Sequence, residues 1–300
     1  MAIAGMAIAG MDLDAGLLLN LRHLAAGMRL GANPPRSNLP GGIVHKRRGR
    51  GLEVHDVRMW MEGDDIRHLD RNVTARTGVP HVRTFRDERE RATLLVADFR
   101  PSMLFGTRRA FRSVAAGESL AMLGWQAMAE GGRVGLVAAT PEATHFARLG
   151  RGARAMIGLV GEMVLAHQSA LHSRIIADKP LADTLADAEM LAGTGATICI
   201  ATGLDAPGDT FDTAVSRLAR RHEVIFVLVA DAFEVAAPAG TYPYVSAEGA
   251  GGWLNVARQT AAAKADGRVA RLRALGVKTV VLESRLDAEA MALVLGQVHG

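Results

Sequence analysis

The feature that most restricts the fold is a short run without alternation. Leu94-Leu95-Val96-Ala97 is entered from Thr93 and followed by Asp98, Phe99, Arg100, Pro101, Ser102 and Met103. A strand apolar on both faces must be covered on both, as a central strand of a parallel sheet is. Parallel neighbours are joined only by long crossovers, usually helices. Here a Pro-containing loop, Gly106 and an Ala-rich stretch follow, so the unit reads as strand, loop, helix. Ligands of open α/β sheets gather beyond the carboxyl ends of the strands. That reading puts Asp98, Arg100 and Ser102 on an accessible rim.

Downstream the same alternation repeats. Helices are expected over 108–130, 152–168, 181–192, 210–221, 253–275 and 287–298. Strands are expected over 133–139, 143–149, 196–201, 223–230 and 277–282, with a Gly/Pro-rich excursion over 232–252 around Tyr242-Pro243-Tyr244. This pattern predicts an α/β fold with a doubly wound, mostly parallel sheet flanked by helices. Cys199 falls inside an apolar run and, as the single cysteine, reads as a core thiol in a reducing compartment.

Before residue 92 the character differs. Leu17, Leu18, Leu21, Leu24 and Met28 make a helical stripe within 13–30 that should pack on a neighbouring domain or partner. Residues 36–92 then hold 13 Lys/Arg against 9 Asp/Glu and four histidines. Residues 52–59 alternate only roughly, predicting an irregular or bulged strand, and 79–85 reads as a second extended segment. The expected organisation is an N-terminal extension with an amphipathic helix (1–35), a small β-rich subdomain (36–91) and a large α/β domain (92–300).

With 49% hydrophobic and 22% charged residues the chain is an ordinary globular one. No window approaches the length of a membrane span, and the apolar start lacks a basic region and soon meets Asp12 and Asp14, unlike a signal peptide. A cytoplasmic location is expected. Aromatic residues are 4% of the chain and do not interleave with the basic cluster 46–50, so single-strand stacking has no platform and a nucleic-acid role is disfavoured.

One block is distinctive. Gly49-x-Gly51-x-Glu53 is followed by Arg58, then Gly63-Asp64-Asp65-x-Arg67-x-x-Asp70, then Arg76. This spacing resembles the signature of the DUF58 family, with Val54, Trp60, Leu69 and Arg71 departing from its usual residues. Asp87-Glu88-Arg89-Glu90 and the pair Asp231 and Glu234 resemble further family positions. The resemblance implies a bacterial protein whose larger half is like a von Willebrand factor A (vWA) domain. It also implies a partner, a MoxR-type AAA+ ATPase, with which such proteins act as adaptors in assembling or activating a client protein.

Many vWA domains bind Mg²⁺ through Asp-x-Ser-x-Ser after the first strand, with a Thr and an Asp from later loops. A hard cation needs about six oxygen ligands. Here Arg100 replaces the first serine and has no acceptor to offer. Thr202 stands where an acid is expected, Asp205 lies three residues on, and Thr184 is the best remaining threonine for the threonine ligand. The expectation is a degenerate, metal-free site in which Arg100 folds onto Asp98 and supplies the missing positive charge. Mg²⁺ binding is disfavoured, and no other cofactor is indicated.

The acidic block 62–70 with Arg58, Arg67 and Arg76 reads as an ion-pair network fixing a turn, or as a docking surface. Gly150-x-Gly152 lacks the acidic residue of a dinucleotide loop. No Walker, zincin or nucleophile-elbow motif occurs, and the residues suggest no nucleophile–base pair. A non-catalytic interaction protein is therefore expected. The alternatives are a metal-dependent vWA-type ligand binder and a phosphate or nucleic-acid binder using the basic subdomain.

Overall fold

The structure, a computed structural model, describes residues 10–28, 54–61, 64, 66–85, 91–236, 239–245, 251–256 and 260–297. Two compact units result: residues 34–90 form the smaller, and residues 1–33 with 91–300 form the larger.

The larger unit begins with α1 (Ala15–Asn20) and α2 (Arg22–Ala25). The periodicity suggested one continuous helix. It is instead interrupted at Leu21, and its second part is tightened by bonds such as Leu24 N–H to Leu21 O and Met28 N–H to Ala25 O. Asp14 caps the start, accepting from Leu17 N. Leu13, Leu18, Leu21 and Met28 are buried in the core of this unit. The segment lies across a long later helix: Trp125 Nε1 donates to Leu18 O and Gln126 Nε2 to Met28 O.

In the smaller unit β1 (Val54–Met59) pairs antiparallel with β2 (His81–Phe85), with α3 (Arg71–Thr77) between them. The register shifts between Val54 and Asp56, the irregularity that the broken alternation implied. Helix α3 was not evident from the sequence. Asp70 makes it, its carboxylate accepting from Asn72 N and Val73 N, and Gly78 ends it in a left-handed conformation.

The large sheet follows in order. It comprises β3 (Ala92–Asp98), α4 (Arg112–Ala129), β4 (Arg133–Ala139), β5 (Thr144–Gly150), α5 (Gly152–His172), α6 (Leu181–Ala192), β6 (Thr197–Thr202), α7 (Phe211–Ala219) and β7 (Glu223–Ala230). After these come α8 (Ala232–Ala236), β8 (Gly240–Val245), β9 (Gly251–Val256), α9 (Thr260–Ala274), β10 (Lys278–Glu283) and α10 (Ala288–Gly296). Six strands lie in the order β10-β7-β6-β3-β4-β5, parallel except for β5. The link from β4 to β5 is too short for a crossover, so a hairpin results, closed by Thr140 Oγ1 donating to Ala143 O at 2.7 Å.

The absence of alternation in the strands now has its cause. Leu95 and Ala97 enter a core with α4, α5 and α10, while Leu94 and Val96 enter a second core with α6, α7 and α9. Cys199 and Ile200 divide in the same way. Burial pushes the Cys199 thiol up to about 12, so it stays protonated. One expectation fails: the helix predicted from residue 253 starts at Thr260, and Trp253 lies in β9, paired with Pro243 of β8. Consecutive aromatic, proline and glycine residues gave this two-stranded sheet no clean period to read.

Candidate functional site

The parallel sheet delivers the ends of β3, β6, β7 and β10 to one edge of the larger unit. The Asp98 carboxylate is fully engaged there. Its Oδ1 accepts from Arg100 N (3.1 Å) and Arg100 Nε (2.8 Å), and its Oδ2 from Arg100 Nη2 (2.8 Å) and Thr202 Oγ1 (2.7 Å). Arg100 is equally occupied. Beyond Asp98, its Nη1 donates to Lys179 O and to Ala206 O (3.1 Å), and its Nη2 to Asp205 O (2.9 Å). All five donors of the guanidinium are therefore used. Burial opposes its charge, but Asp98, with Asp178 and Asp205, outweighs burial and raises its pKa above the ordinary arginine value.

Arg100 thus ties together three loops, following β3, preceding α6 and following β6. The last holds Leu204 at φ 58° and Ala206 at φ 41°, left-handed values that cost a non-glycine residue energy. Arg100 binds the carbonyls of residues 205 and 206 in this loop, and Thr202 Oγ1 accepts from Leu204 N at 2.9 Å.

Around this knot lies a second layer whose arginines sequence reasoning missed. Arg112 pairs with Asp205 Oδ2 and with Glu234 Oε1, both at 3.0 Å, and donates to Ser102 O. Arg268 donates to Gly203 O at 2.6 Å. A Cβ on Gly203 would sit 2.6 Å from both Arg112 Nη1 and Asp205 Oδ2, so only glycine lets them close over it. Ser102 N donates to Asp178 Oδ1 at 3.0 Å. Nearby, buried Asp231 accepts from Thr107 N and Oγ1, Phe233 N and Ser284 Oγ. Burial would raise its pKa, but these donors, Thr107 foremost, hold it below the ordinary value. Arg112 and Arg268 carried no local signal, since each finds its partner only through tertiary packing.

The five rim candidates, Asp98, Arg100, Ser102, Thr202 and Asp205, do converge. Their exposure departs from expectation: Asp98 and Arg100 are each 1% exposed, so neither can touch a partner directly. The cause is the connection of Arg100 to three loops, which close over the pair. The residues do not suit Mg²⁺. Both Asp98 oxygens already accept two hydrogen bonds, a cation stands beside them, and Thr202 replaces an anionic ligand. Thr184 is buried in α6, and among the described residues no hydrogen bond joins it to Asp98.

In the smaller unit, Gly49, Gly51, Glu53, Gly63 and Asp65 lie outside the described residues. Arg58 forks onto Asp64 with Nη1–Oδ2 of 2.8 Å and Nη2–Oδ1 of 2.5 Å, and Asp64 also accepts from Met61 N. The bond from Arg58 holds Asp64 below the usual carboxylate range. This is a turn-fixing pair, and Asp70 is a helix cap. Arg67 and Arg76 are exposed.

A nucleophile–base pair that the sequence did not suggest does occur, with Ser113 Oγ 2.9 Å from His167 Nε2. Both residues are fully buried between α4 and α5, and the edge of Phe99 meets the His167 ring. No substrate can reach them, and burial pushes His167 down to about 4, so it is a neutral core histidine.

Residues 56–272 match the family model described as "Protein of unknown function DUF58". Over 59 residues the chain is 48% identical to uncharacterized proteins of Mycobacterium bovis and Mycobacterium tuberculosis. The match spans 20% of this chain and only 19% of the length of those curated relatives. Among solved structures, the conserved hypothetical protein BatB from Bacteroides thetaiotaomicron is similar at 14% identity and a TM-score of 0.45, over 69% of this chain and 98% of that one. The SpRpn10 VWA domain is similar at 12% identity and a TM-score of 0.38, over 69% and 93%. With more than two thirds of its length matched by the family model, the chain belongs to the DUF58 family.

Proposed function

We propose that this protein is a non-catalytic adaptor that works with a MoxR-type AAA+ ATPase on a client protein, docking through the loops at the carboxyl edge of its large sheet. The observation that carries the reading is the saturated Asp98–Arg100 couple. A buried, fully bonded pair has no free lone pair for a metal and no reactive atom for a substrate. Its remaining role is to hold three loops in one arrangement, so that a partner meets a preorganised surface. In this reading the guanidinium does permanently what a bound cation does in a metal-dependent site, and the site is metal-free.

The docking contacts are then the exposed neighbours of the couple. Phe105 is half-exposed, and the edges of Asp205 and Glu234 reach solvent. Charges arranged in this way set specificity and approach more than affinity. The test is a pull-down and an ATPase-stimulation assay with a MoxR-type ATPase from the same source, using the full chain and Phe105→Asp. Binding and stimulation by the parent, lost in the variant, are expected. Neither binding nor stimulation by the parent would overturn the reading. Calorimetry with Mg²⁺ and Mn²⁺ tests the metal separately: tight stoichiometric binding abolished by Asp98→Ala would refute a metal-free site.

A further inference from the structure

The two outer strands of the large sheet differ in kind. β5 carries the devices that keep an edge from pairing with another chain: a register shift sets Ala147–Gly150 against Val134–Leu136 of β4, and Arg148 stands exposed on it. β10 instead runs in unbroken register beside β7 from Lys278 to Glu283. Ser284 N donates to Ala230 O of β7 at 2.8 Å. Backbone groups alternate from side to side along a strand, so Val280 and Leu282 also face β7, while Thr279, Val281 and Glu283 face outward. Among the described residues no strand pairs with β10 on that side. Nor does any hydrogen bond among them take up the N–H and C=O of Thr279 and Val281 or the N–H of Glu283. The side chains of these three residues lie on the face opposite Val280 and Leu282, which pack on the first core. Val281 is 40% exposed, and the one charge in the row, Glu283, is turned onto Arg285 at 2.6 Å.

We infer that β10 is an interface between two copies of this chain, which join edge to edge into one continuous sheet. A two-fold axis normal to the sheet sets a strand antiparallel to its own copy with the same face upward. Opposed residues then share a face. Centring the axis on Val281 sets Val281 against Val281 of the second copy, and Thr279 against Glu283 of the second copy. In that register Val281 N donates to Val281 O, and Glu283 N to Thr279 O, each across the axis and in both directions. Glu283 O already accepts from Leu286 N at 3.1 Å and can take Thr279 N on its second lone pair. Moving the axis to Val280 would oppose Glu283 to Val277, whose N–H is already given to Leu272 O. The side chains match in the same register: the half-exposed valines cover each other, and the Thr279 hydroxyl meets the Glu283 carboxylate. The strand thus supplies both halves of its own complement, and the pair needs no third chain. Antiparallel joining points the two carboxyl edges, with their Arg100 loops, in opposite directions.

The test is light scattering on the full chain after size exclusion, with a cross-link to fix the register. A mass twice the 31.8 kDa of the chain is expected. Val281→Lys opposes like charges across the axis and should weaken association about fivefold or more, with the fold retained by circular dichroism. In the proposed register the two Cα atoms of residue 281 lie about 5.5 Å apart, within reach of a disulfide. Val281→Cys should therefore give a linked dimer on mild oxidation, and Arg148→Cys on the other outer strand should not; Cys199 is buried and takes no part. A monomeric parent would overturn the inference and leave the edge to an extended strand of another protein. A dimer as strong in Val281→Lys as in the parent would overturn it too. So would a dimer that Arg148→Cys links and Val281→Cys does not.

Discussion

Arg100→Ser rebuilds the Asp-x-Ser-x-Ser spacing and removes the internal cation in one step. In the folded protein Asp98 would keep only Thr202 Oγ1 and the backbone N–H of residue 100 as donors. The carbonyls of Lys179, Asp205 and Ala206 would lose theirs, and the left-handed residues Leu204 and Ala206 would lose the contact holding their loop. Removing one member of a buried ion pair costs about 3–5 kcal/mol. Water entering the space left by the guanidinium would offset part of this, so about 3 kcal/mol is expected. In a unit of this size that corresponds to a fall in Tm of roughly 6–12 °C. Urea unfolding of the parent and the variant, each in EDTA and in millimolar Mg²⁺, measures it. Mg²⁺ should recover part of the loss in the variant, by binding only the folded form, and should leave the parent unchanged. A double variant with Asp98→Asn should be less destabilised than the two single losses added together. A loss below about 1 kcal/mol for Arg100→Ser in EDTA would refute the reasoning, because a buried carboxylate cannot forfeit its counter-ion that cheaply.

Two further outcomes follow from the same contacts. Gly203→Ala should cost about 1–3 kcal/mol by overpacking and should abolish the ATPase pull-down, because the new methyl forces Arg112 from Asp205; unfolding and pull-down data equal to the parent's would contradict it. His167 has an ordinary value of 6.5 but titrates near 4 in the fold, so between these pH values the unfolded chain binds a proton that the folded chain does not. Its contribution is complete above pH 6.5 and is lost as pH falls towards 4, up to about 3 kcal/mol. His167→Gln should flatten that part of the stability–pH curve, and an unchanged slope would remove His167 as its cause.

Periodicity and composition were enough for the larger architecture. Runs such as Leu94–Ala97 and the strand 223–230 have no polar face, and a strand with no polar face has to be covered twice, so a sheet with helices on both sides is the solution the apolar pattern allows. The spacing from Gly49 to Arg76 carried the family resemblance, and within it the Arg58–Asp64 fork and the Asp70 cap are local contacts that leave a local signature. Even the chemistry of Arg100 was legible: a guanidinium two residues from a strand-end carboxylate can fold back onto it.

Tertiary structure alone decided the rest. That Asp98 and Arg100 are buried depends on loops around residues 179 and 206, about eighty and one hundred positions away. No local pattern encodes a carbonyl arriving from there. The partnerships of Arg112, Arg268 and Glu234, and the Ser113–His167 pair, arise in the same way, from helices and loops brought together only when the sheet closes. The apolar pattern determines which surfaces must meet, whereas a polar group finds its partner only once packing has brought both to the same place.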